Sequence, residues 1–214
     1  YVTTKFLENE VSMWWYELKD TIDKEVGLNF NYENKNFNFQ LKSNKQKFSA
    51  YSKLRKILIN LNIENQLKLI EKITNKKKRK NFSEICLSEN DLKILDSSPL
   101  ITIGSHSHNH LNLKILSENE IIDEIKKSLE ILEKILEHKI EHFAYPYGGK
   151  NEVSLRECKI IENLDFISGV TGKVFSMKHD DPFHLPRIYI GENTCEKTLT
   201  NHLSGFYNLA NKFF

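Results

Sequence analysis

Three histidines at alternate positions, His106, His108 and His110, follow a short apolar run in the stretch ITIGSHSHNH. The β-branched residues of that run predict a buried strand over 101–103, and the Gly-Ser pair after them marks where the strand opens into a loop. In α/β folds, the loops after strands collect functional groups, and neutral imidazole is the commonest protein ligand of transition metals. A single histidine is ordinary in most proteins, but three within five positions at a strand end favour a metal site.

The composition is that of a soluble globular protein, and it favours one large domain. The chain has 214 residues, of which 39% are hydrophobic and 28% charged, with a net charge of +2. This near balance of charge points to neither nucleic acid nor an acidic membrane surface as a partner. No run approaches the roughly eighteen apolar residues that a membrane helix needs. Three widely spaced cysteines favour buried thiols in a reducing compartment, so we expect a cytoplasmic chain unless an export signal lies upstream.

The first half of the chain predicts a small insertion. Alternating residues over 28–41 indicate a hairpin, and two helical stretches follow, so residues 28–82 are expected to form a hairpin and a helical pair. Residues 76–80, KKKRK, form a basic block of the kind found in nucleic-acid patches. Because no aromatic residue is interleaved with it, a solvated loop explains the block more simply.

Two capping boxes predict helices on either side of the histidine stretch. Ser88 with Asp91, and Ser117 with Glu120, have the spacing at which a serine and an acid satisfy free amides at a helix start. The second helix, over 118–137, carries a broad apolar stripe suited to packing on a sheet.

Beyond that helix, strands and helices alternate. The predicted elements are a strand over 142–145, a helix over 153–163, a strand over 165–170 and an extended segment over 187–190. This alternation indicates a parallel sheet with crossover helices, either a barrel or an open sheet. Since parallel strands end at a common edge, the histidines and the Pro-Tyr-Gly-Gly turn are expected to meet there, together with the loop before Arg187.

The pairing of GSHSHNH with a later FAYPYG and then LPRI resembles the polysaccharide deacetylase family, also called the NodB-homology family or carbohydrate esterase family 4. The resemblance is clearest over 101–190 and less specific in the YVTT and MWW segments. It implies an α/β fold, a distorted (β/α) barrel that is N-terminally incomplete and carries an inserted helical pair, with residues 1–214 as one domain. Members of the family remove N-acetyl groups from amino sugars with a divalent metal, often zinc.

The resemblance also assigns roles to individual residues. In the motif H-[S/T]-x-x-H, His106 and His110 would be the metal ligands, Ser107 would steady the loop, and the position of His108 is variable. The backbone N–H of Tyr147 would complete an oxyanion hole, while its ring would shape the sugar groove.

Arg187 resembles the family's basic residue beside the catalytic carboxylate, where its charge would keep that carboxylate ionised. For an isolated arginine, a structural salt bridge is the alternative interpretation.

The chain also departs from the family pattern. The family's TFDDG-like strand end, which supplies the base and the third metal ligand, would precede YVTT and is not in the sequence. The acidic pair Asp180 and Asp181 is better interpreted as a loop. Ala144 stands where many relatives have arginine. His202 and His184 are candidates for the general acid, although each is more simply an ordinary histidine.

The resemblance implies, as substrate, an acetylated amino-sugar oligomer or polymer from a bacterial surface polysaccharide or lipopolysaccharide. Without the acidic motif, this chain alone is expected to be weak or inactive. Two other interpretations remain open: a non-catalytic carbohydrate-binding domain, and a metal-dependent amidohydrolase or phosphoesterase. The latter would need further His and Asp ligands downstream, and FAYPYG argues against it. The sequence upstream of Tyr1 would separate the enzyme from the binding domain. The oligomeric state is left open.

Overall fold

The computed structural model describes residues 1–8, 11–76, 79–172, 181–192 and 194–204. The chain divides into two compact units. One unit is Lys5–Leu92, and the other joins Tyr1–Thr4 to Lys93–Phe214. The prediction of a single family domain over 1–214 stays a prediction.

The unit Lys5–Leu92 contains the predicted hairpin and helical pair. Its main elements are α1 (Trp14–Lys24), β1 (Gly27–Tyr32), β2 (Lys35–Gln40), α2 (Asn44–Leu58), α3 (Ile63–Thr74) and the start of α4 (Glu89–Asp96). The two strands pair antiparallel, with Leu28 opposite Phe39. A capping box of Ser43 and Gln46 starts α2. The segment thus contains a hairpin followed by two helices, whereas the prediction that 28–82 is an insertion in the domain stays a prediction.

The second unit contains a parallel sheet with helices between its strands. Its elements are α5 (Glu118–Leu136), β3 (His142–Ala144), α6 (Leu155–Asn163), β4 (Ser168–Val170) and α7 (Glu196–Leu203). β3 pairs parallel with β4, and single-residue parallel bridges add Val2, Ser105 and Leu185. Five segments thus lie side by side in chain order, which confirms the predicted parallel arrangement. Within the described residues they form no closed barrel, so the fold is mixed α/β.

The strand predicted over 101–103 was misplaced, because pairing begins later in the chain. The backbone N–H of Val2 donates to the carbonyl of Gly104 at 2.8 Å, and that of Ser105 donates to the carbonyl of His142 at 2.8 Å. Ile101 is 40% exposed. The backbone of residues 104–106 lies between Val2 and β3 and is hydrogen-bonded to both. The apolar run over 101–103 is not in the sheet. His106, whose N–H donates to the carbonyl of Val2 at 2.9 Å, therefore emerges directly from the sheet.

The extended segment predicted over 187–190 is corrected in the opposite direction, because the parallel bridge to Val170 is made by Leu185, earlier in the chain. Helix α5 confirms the helix predicted over 118–137, with both hydrogen bonds of the Ser117–Glu120 capping box present. No helix in the described segments is both long and apolar enough to cross a membrane.

Candidate active site

The sheet brings His106 and His110 together with Tyr147. The imidazole centroids of the two histidines are 4.9 Å apart, with the ring planes inclined by 72°. The ring of Tyr147 lies edge-on to His110, with centroids 4.8 Å apart. Three residues that the sequence placed in one site are thus in contact, although their chemical roles stay predictions.

His106 is oriented by the backbone of the neighbouring strand. Its Nδ1 lies 2.6 Å from the carbonyl oxygen of Ala144. Because a carbonyl only accepts hydrogen bonds, Nδ1 carries the proton and Nε2 keeps its lone pair for a ligand. Withdrawal from water, followed by the charge of His110 and then that of Arg187, lowers the pKa of His106 to about 3. The ring is therefore neutral near pH 7, in the protonation state that binds a metal.

The loop that carries His110 has an unusual backbone. Ser107 and His110 both have left-handed conformations, with φ of 62° and 58°. Such conformations cost non-glycine residues about 1–3 kcal/mol each, and they persist where the surroundings enforce them. The buried hydroxyl of Ser107 accepts a hydrogen bond from the N–H of His110 at 3.2 Å. This bond is consistent with the loop-steadying role that the family resemblance implies for Ser107.

His108 lies in the protein interior rather than in the histidine pair. It is 2% exposed, and its Nδ1 lies 2.9 Å from the hydroxyl of Thr4. Among the described residues, no group of three His, Cys, Asp or Glu side chains is arranged to hold a metal. His106 and His110 can thus supply two imidazole ligands, and the described part of the chain offers no third one.

The turn that positions Tyr147 depends on glycine. Tyr147 and Gly148 are both left-handed, with φ of 61° and 60°. The N–H of Gly172 donates to the carbonyl of Gly148 at 2.7 Å, and a Cβ atom at position 148 would lie 2.4 Å from the nitrogen of Gly172. The turn is thereby held against the segment that follows β4, which directs the tyrosine ring towards His110.

Arg187 is held beside the same site by a backbone contact. Its Nε donates to the carbonyl of Thr171 at 2.8 Å. Its charge contributes, after burial and the charge of His110, to the lowered pKa of His106. No salt bridge of Arg187 is found within the described residues. The choice between the role beside a carboxylate and a structural salt bridge stays a prediction.

The contacts of the remaining candidates do not test their roles. The carboxylate of Asp181 accepts a hydrogen bond from the N–H of Phe183 at 2.8 Å, as expected for a loop, and Asp180 lies outside the described residues. The N–H of His184 donates to the carbonyl of Asp181, and His202 lies in α7. A general-acid role for either histidine stays a prediction.

Two contacts of α5 with the histidine loop were not predicted. The carboxylate of Glu124 binds Asn109, and the hydroxyl of Ser128 lies 2.9 Å from that of Ser105. A serine within the apolar stripe of α5 was the signal available in the sequence, because a buried hydroxyl needs a partner.

Comparison with known families gives one match that covers most of the chain. The polysaccharide deacetylase family model matches residues 19–163. A search of curated proteins gives no match.

The chain is also similar to several solved structures. The deacetylase PplD of Streptococcus pyogenes, solved in complex with acetate, is 24% identical with a TM-score of 0.50, over 55% of this chain and 50% of that one. A polysaccharide deacetylase from Bacillus cereus is 21% identical with a TM-score of 0.48, over 55% and 37% of the two chains. A de-N-acetylase from Aggregatibacter actinomycetemcomitans is 11% identical with a TM-score of 0.47, over 86% and 62%. The chain spans half the length of the streptococcal protein.

Proposed function

Because the chain belongs to the polysaccharide deacetylase family, a family of hydrolases that act on carbon–nitrogen bonds, we propose that it removes N-acetyl groups from amino sugars of a surface polysaccharide or lipopolysaccharide. The observation that carries this proposal is the contact between His106 and His110, with the proton of His106 fixed on Nδ1 by the carbonyl of Ala144. Two imidazoles in contact at the edge of a parallel sheet suit a hydrolytic metal centre.

His106 and His110 would hold a divalent ion, with zinc as the expected metal. When bound, such an ion acidifies a water molecule and polarises the acetyl carbonyl. The third ligand and the general base would come from an acidic motif upstream of Tyr1. The 214 residues alone are therefore proposed to be weakly active.

Tyr147 and Arg187 would act on the charges of the reaction. The N–H of Tyr147 would donate to the oxyanion that develops on the acetyl group, a contribution of about 3–4 kcal/mol in enzymes where one such donor was removed. The ring of Tyr147, edge-on to His110, would border the sugar groove. The guanidinium of Arg187 would keep the base ionised, as its charge already disfavours protonation of His106.

The proposed substrate is an acetylated amino-sugar oligomer or polymer, and the cytoplasmic location expected from the sequence stays a prediction. A second candidate function is non-catalytic carbohydrate binding. It is favoured by one observation, that the described residues contain no third metal ligand.

The experiment that tests the proposal measures acetate release from an N-acetylglucosamine oligomer. The 214-residue chain is compared with a protein extended at its N-terminus by the upstream coding sequence, each before and after treatment with a chelator and addition of Zn²⁺. We expect the extended protein to be faster by about a hundredfold to ten-thousandfold, the usual effect of a general base. We also expect its activity to fall with the chelator and return with Zn²⁺.

Equal turnover by the two proteins would show that the catalytic carboxylate lies within these 214 residues. Oligomer binding without acetate release by either protein would favour the binding domain.

A further inference from the structure

Helix α5 presents two polar side chains, one turn apart, to the histidine loop. Glu124 and Ser128 are four residues apart, a spacing that places them on the same face of a helix. Ser128 is fully buried, on the side of α5 that also buries Ile125 and Leu132, and its hydroxyl lies 2.9 Å from that of Ser105. Ser105 is the residue at which the histidine segment pairs with the sheet. This contact anchors the beginning of the loop.

Glu124 anchors the other end of the loop. Its Oε2 accepts the backbone N–H of Asn109 at 2.9 Å, and its Oε1 accepts a short hydrogen bond from Nδ2 of the same residue. Both bonds go to an ionised acceptor and are therefore stronger than bonds between neutral groups. Asn109 directly precedes His110, so these bonds restrain the backbone from which the His110 ring projects.

The loop needs such a restraint because its backbone is strained. Ser107 and His110 both have left-handed backbone conformations. Within the loop, the hydroxyl of Ser107 accepts a hydrogen bond from the N–H of His110 at 3.2 Å, and this bond joins neutral groups. Without the carboxylate of Glu124, the backbone around Asn109 could relax towards an ordinary conformation. That relaxation would turn the ring of His110 away from His106.

We propose that Glu124 is a positioning residue for the metal-binding histidines, which fixes the loop so that His110 stands against His106. Ser128 is the second anchor of the same loop. The inference deepens the proposed function and rests on it, since the two imidazoles need a fixed relative position if they bind one ion.

The test compares three variants by Co²⁺ binding, which is followed by the visible absorption of the bound ion. Glu124→Ala removes both hydrogen bonds to Asn109. Glu124→Gln can keep two, because its amide oxygen can accept from the backbone N–H of Asn109 and its amide nitrogen can donate to Oδ1 of a flipped Asn109 side chain. Asp123→Ala is the matched control, because Asp123 is an exposed acid on the same helix. We expect Glu124→Ala to weaken Co²⁺ binding by about tenfold or more, which is the usual effect of removing a residue that orients a metal ligand. The visible absorption spectrum of the bound Co²⁺ should change as well. Glu124→Gln should recover most of the affinity, and Asp123→Ala should match the wild type.

A second measurement does not depend on metal. In the metal-free protein, amide hydrogen exchange over 105–110 should accelerate in Glu124→Ala and not in Asp123→Ala, while exchange elsewhere in the second unit stays unchanged. If Glu124→Ala does not fold, Asn109→Ala, which removes only the side-chain bond, should show the same changes at smaller size.

The outcomes separate the two proposals. Wild-type Co²⁺ affinity in Glu124→Ala, or loop exchange equal to that of the control, overturns the role of Glu124 whatever the protein catalyses. If exchange of the loop accelerates in Glu124→Ala but the wild-type protein binds no Co²⁺, the restraint of the loop by Glu124 is supported and the proposed metal centre is refuted.

Discussion

The Nδ1 atom of His106 lies 2.6 Å from the carbonyl oxygen of Ala144. The orienting group is thus a backbone atom of the adjacent strand, and it requires no particular side chain at position 144. The contact is therefore compatible with alanine at this position, where the family resemblance leads us to expect arginine in many relatives. The proton on Nδ1 leaves the lone pair of Nε2 for a ligand, and Nε2 would bind the ion of the proposed metal centre.

We expect the three histidines to separate into two classes on alanine substitution. His106→Ala and His110→Ala should abolish binding of a divalent ion. His108→Ala should retain the ion but lower the free energy of unfolding by about 1–3 kcal/mol, because it leaves the buried Thr4 hydroxyl without its imidazole partner. Metal content after dialysis and urea unfolding of the metal-free proteins measure the two effects. Metal loss in His108→Ala with retention in His110→Ala would show that the motif is assigned in the wrong register.

The charge of Arg187 and its packing should have separate effects, one on the pH dependence of the rate and the other on stability. If its charge keeps the catalytic carboxylate ionised, Arg187→Met in the N-terminally extended protein should raise the apparent pKa of that base. The acidic limb of the pH–rate profile would then move to higher pH. Loss of the bond to Thr171 at this exposed residue should cost at most about 1 kcal/mol of stability. Thermal melts measured beside the rate profiles check this, and an unshifted acidic limb would remove Arg187 from the site.

Gly148 should tolerate no side chain. Its φ of 60° disfavours every other residue, and a Cβ atom would lie 2.4 Å from the nitrogen of Gly172. Gly148→Ala should therefore lower the free energy of unfolding by more than about 1 kcal/mol. The matched control is Gly27→Ala, whose Cβ would meet the carbonyl of Phe39 at an ordinary 3.5 Å. Urea unfolding compares them, and equal stabilities would mean that the turn at Gly148 rearranges freely.

His138 predicts a pH-dependent contribution to stability. Hydrogen bonds with the carbonyl of Lys139 and then with the carboxylate of Asp96 raise the pKa of His138 above its usual 6.5. A histidine with a raised folded-state pKa stabilises the protein below its unfolded-state pKa, and this contribution is lost as pH rises through the folded-state value.

The variant His138→Gln should accordingly lose stability at about pH 5.5 and match the wild type at about pH 8.5. The loss should stay below about 1 kcal/mol, because the pair is exposed. Asp96→Asn should lower the pKa of His138 only in part, since the carbonyl of Lys139 remains. Unfolding at the two pH values and an NMR titration of His138 check both statements. A loss that is greater at the higher pH would contradict the assignment.

Long periodic elements could be predicted from the sequence, and short pairings could not. Helix α5 has a capping box and an apolar stripe over five turns, so its position was predictable. The sheet near the site is built from segments as short as a single bridged residue. A segment of that length has no periodicity to detect, which is why the strand was expected in the apolar run over 101–103 instead of at Ser105.

The grouping of the site residues could be predicted, but the contacts that support them could not. The spacing of the three histidines indicated a metal site, and the family resemblance assigned His106 and His110 as its ligands, which stays a prediction. The carbonyl of Ala144 and that of Thr171 carry no side-chain signal, so their contacts with His106 and Arg187 appear only in three dimensions. Glu124 resembles any acid on a half-exposed helix face until its contact with Asn109 is seen.

The contact between Thr4 and His108 joins residues 104 positions apart in the chain. Contacts between such distant residues form slowly, because the intervening chain must first lose the entropy of closing a large loop. During synthesis from the N-terminus, Thr4 must wait until His108 has left the ribosome, and the carbonyl that orients His106 follows only with Ala144. The histidine pair should therefore become ordered only after Ala144 has emerged, and a nascent chain could bind an ion at the proposed site only from that point on.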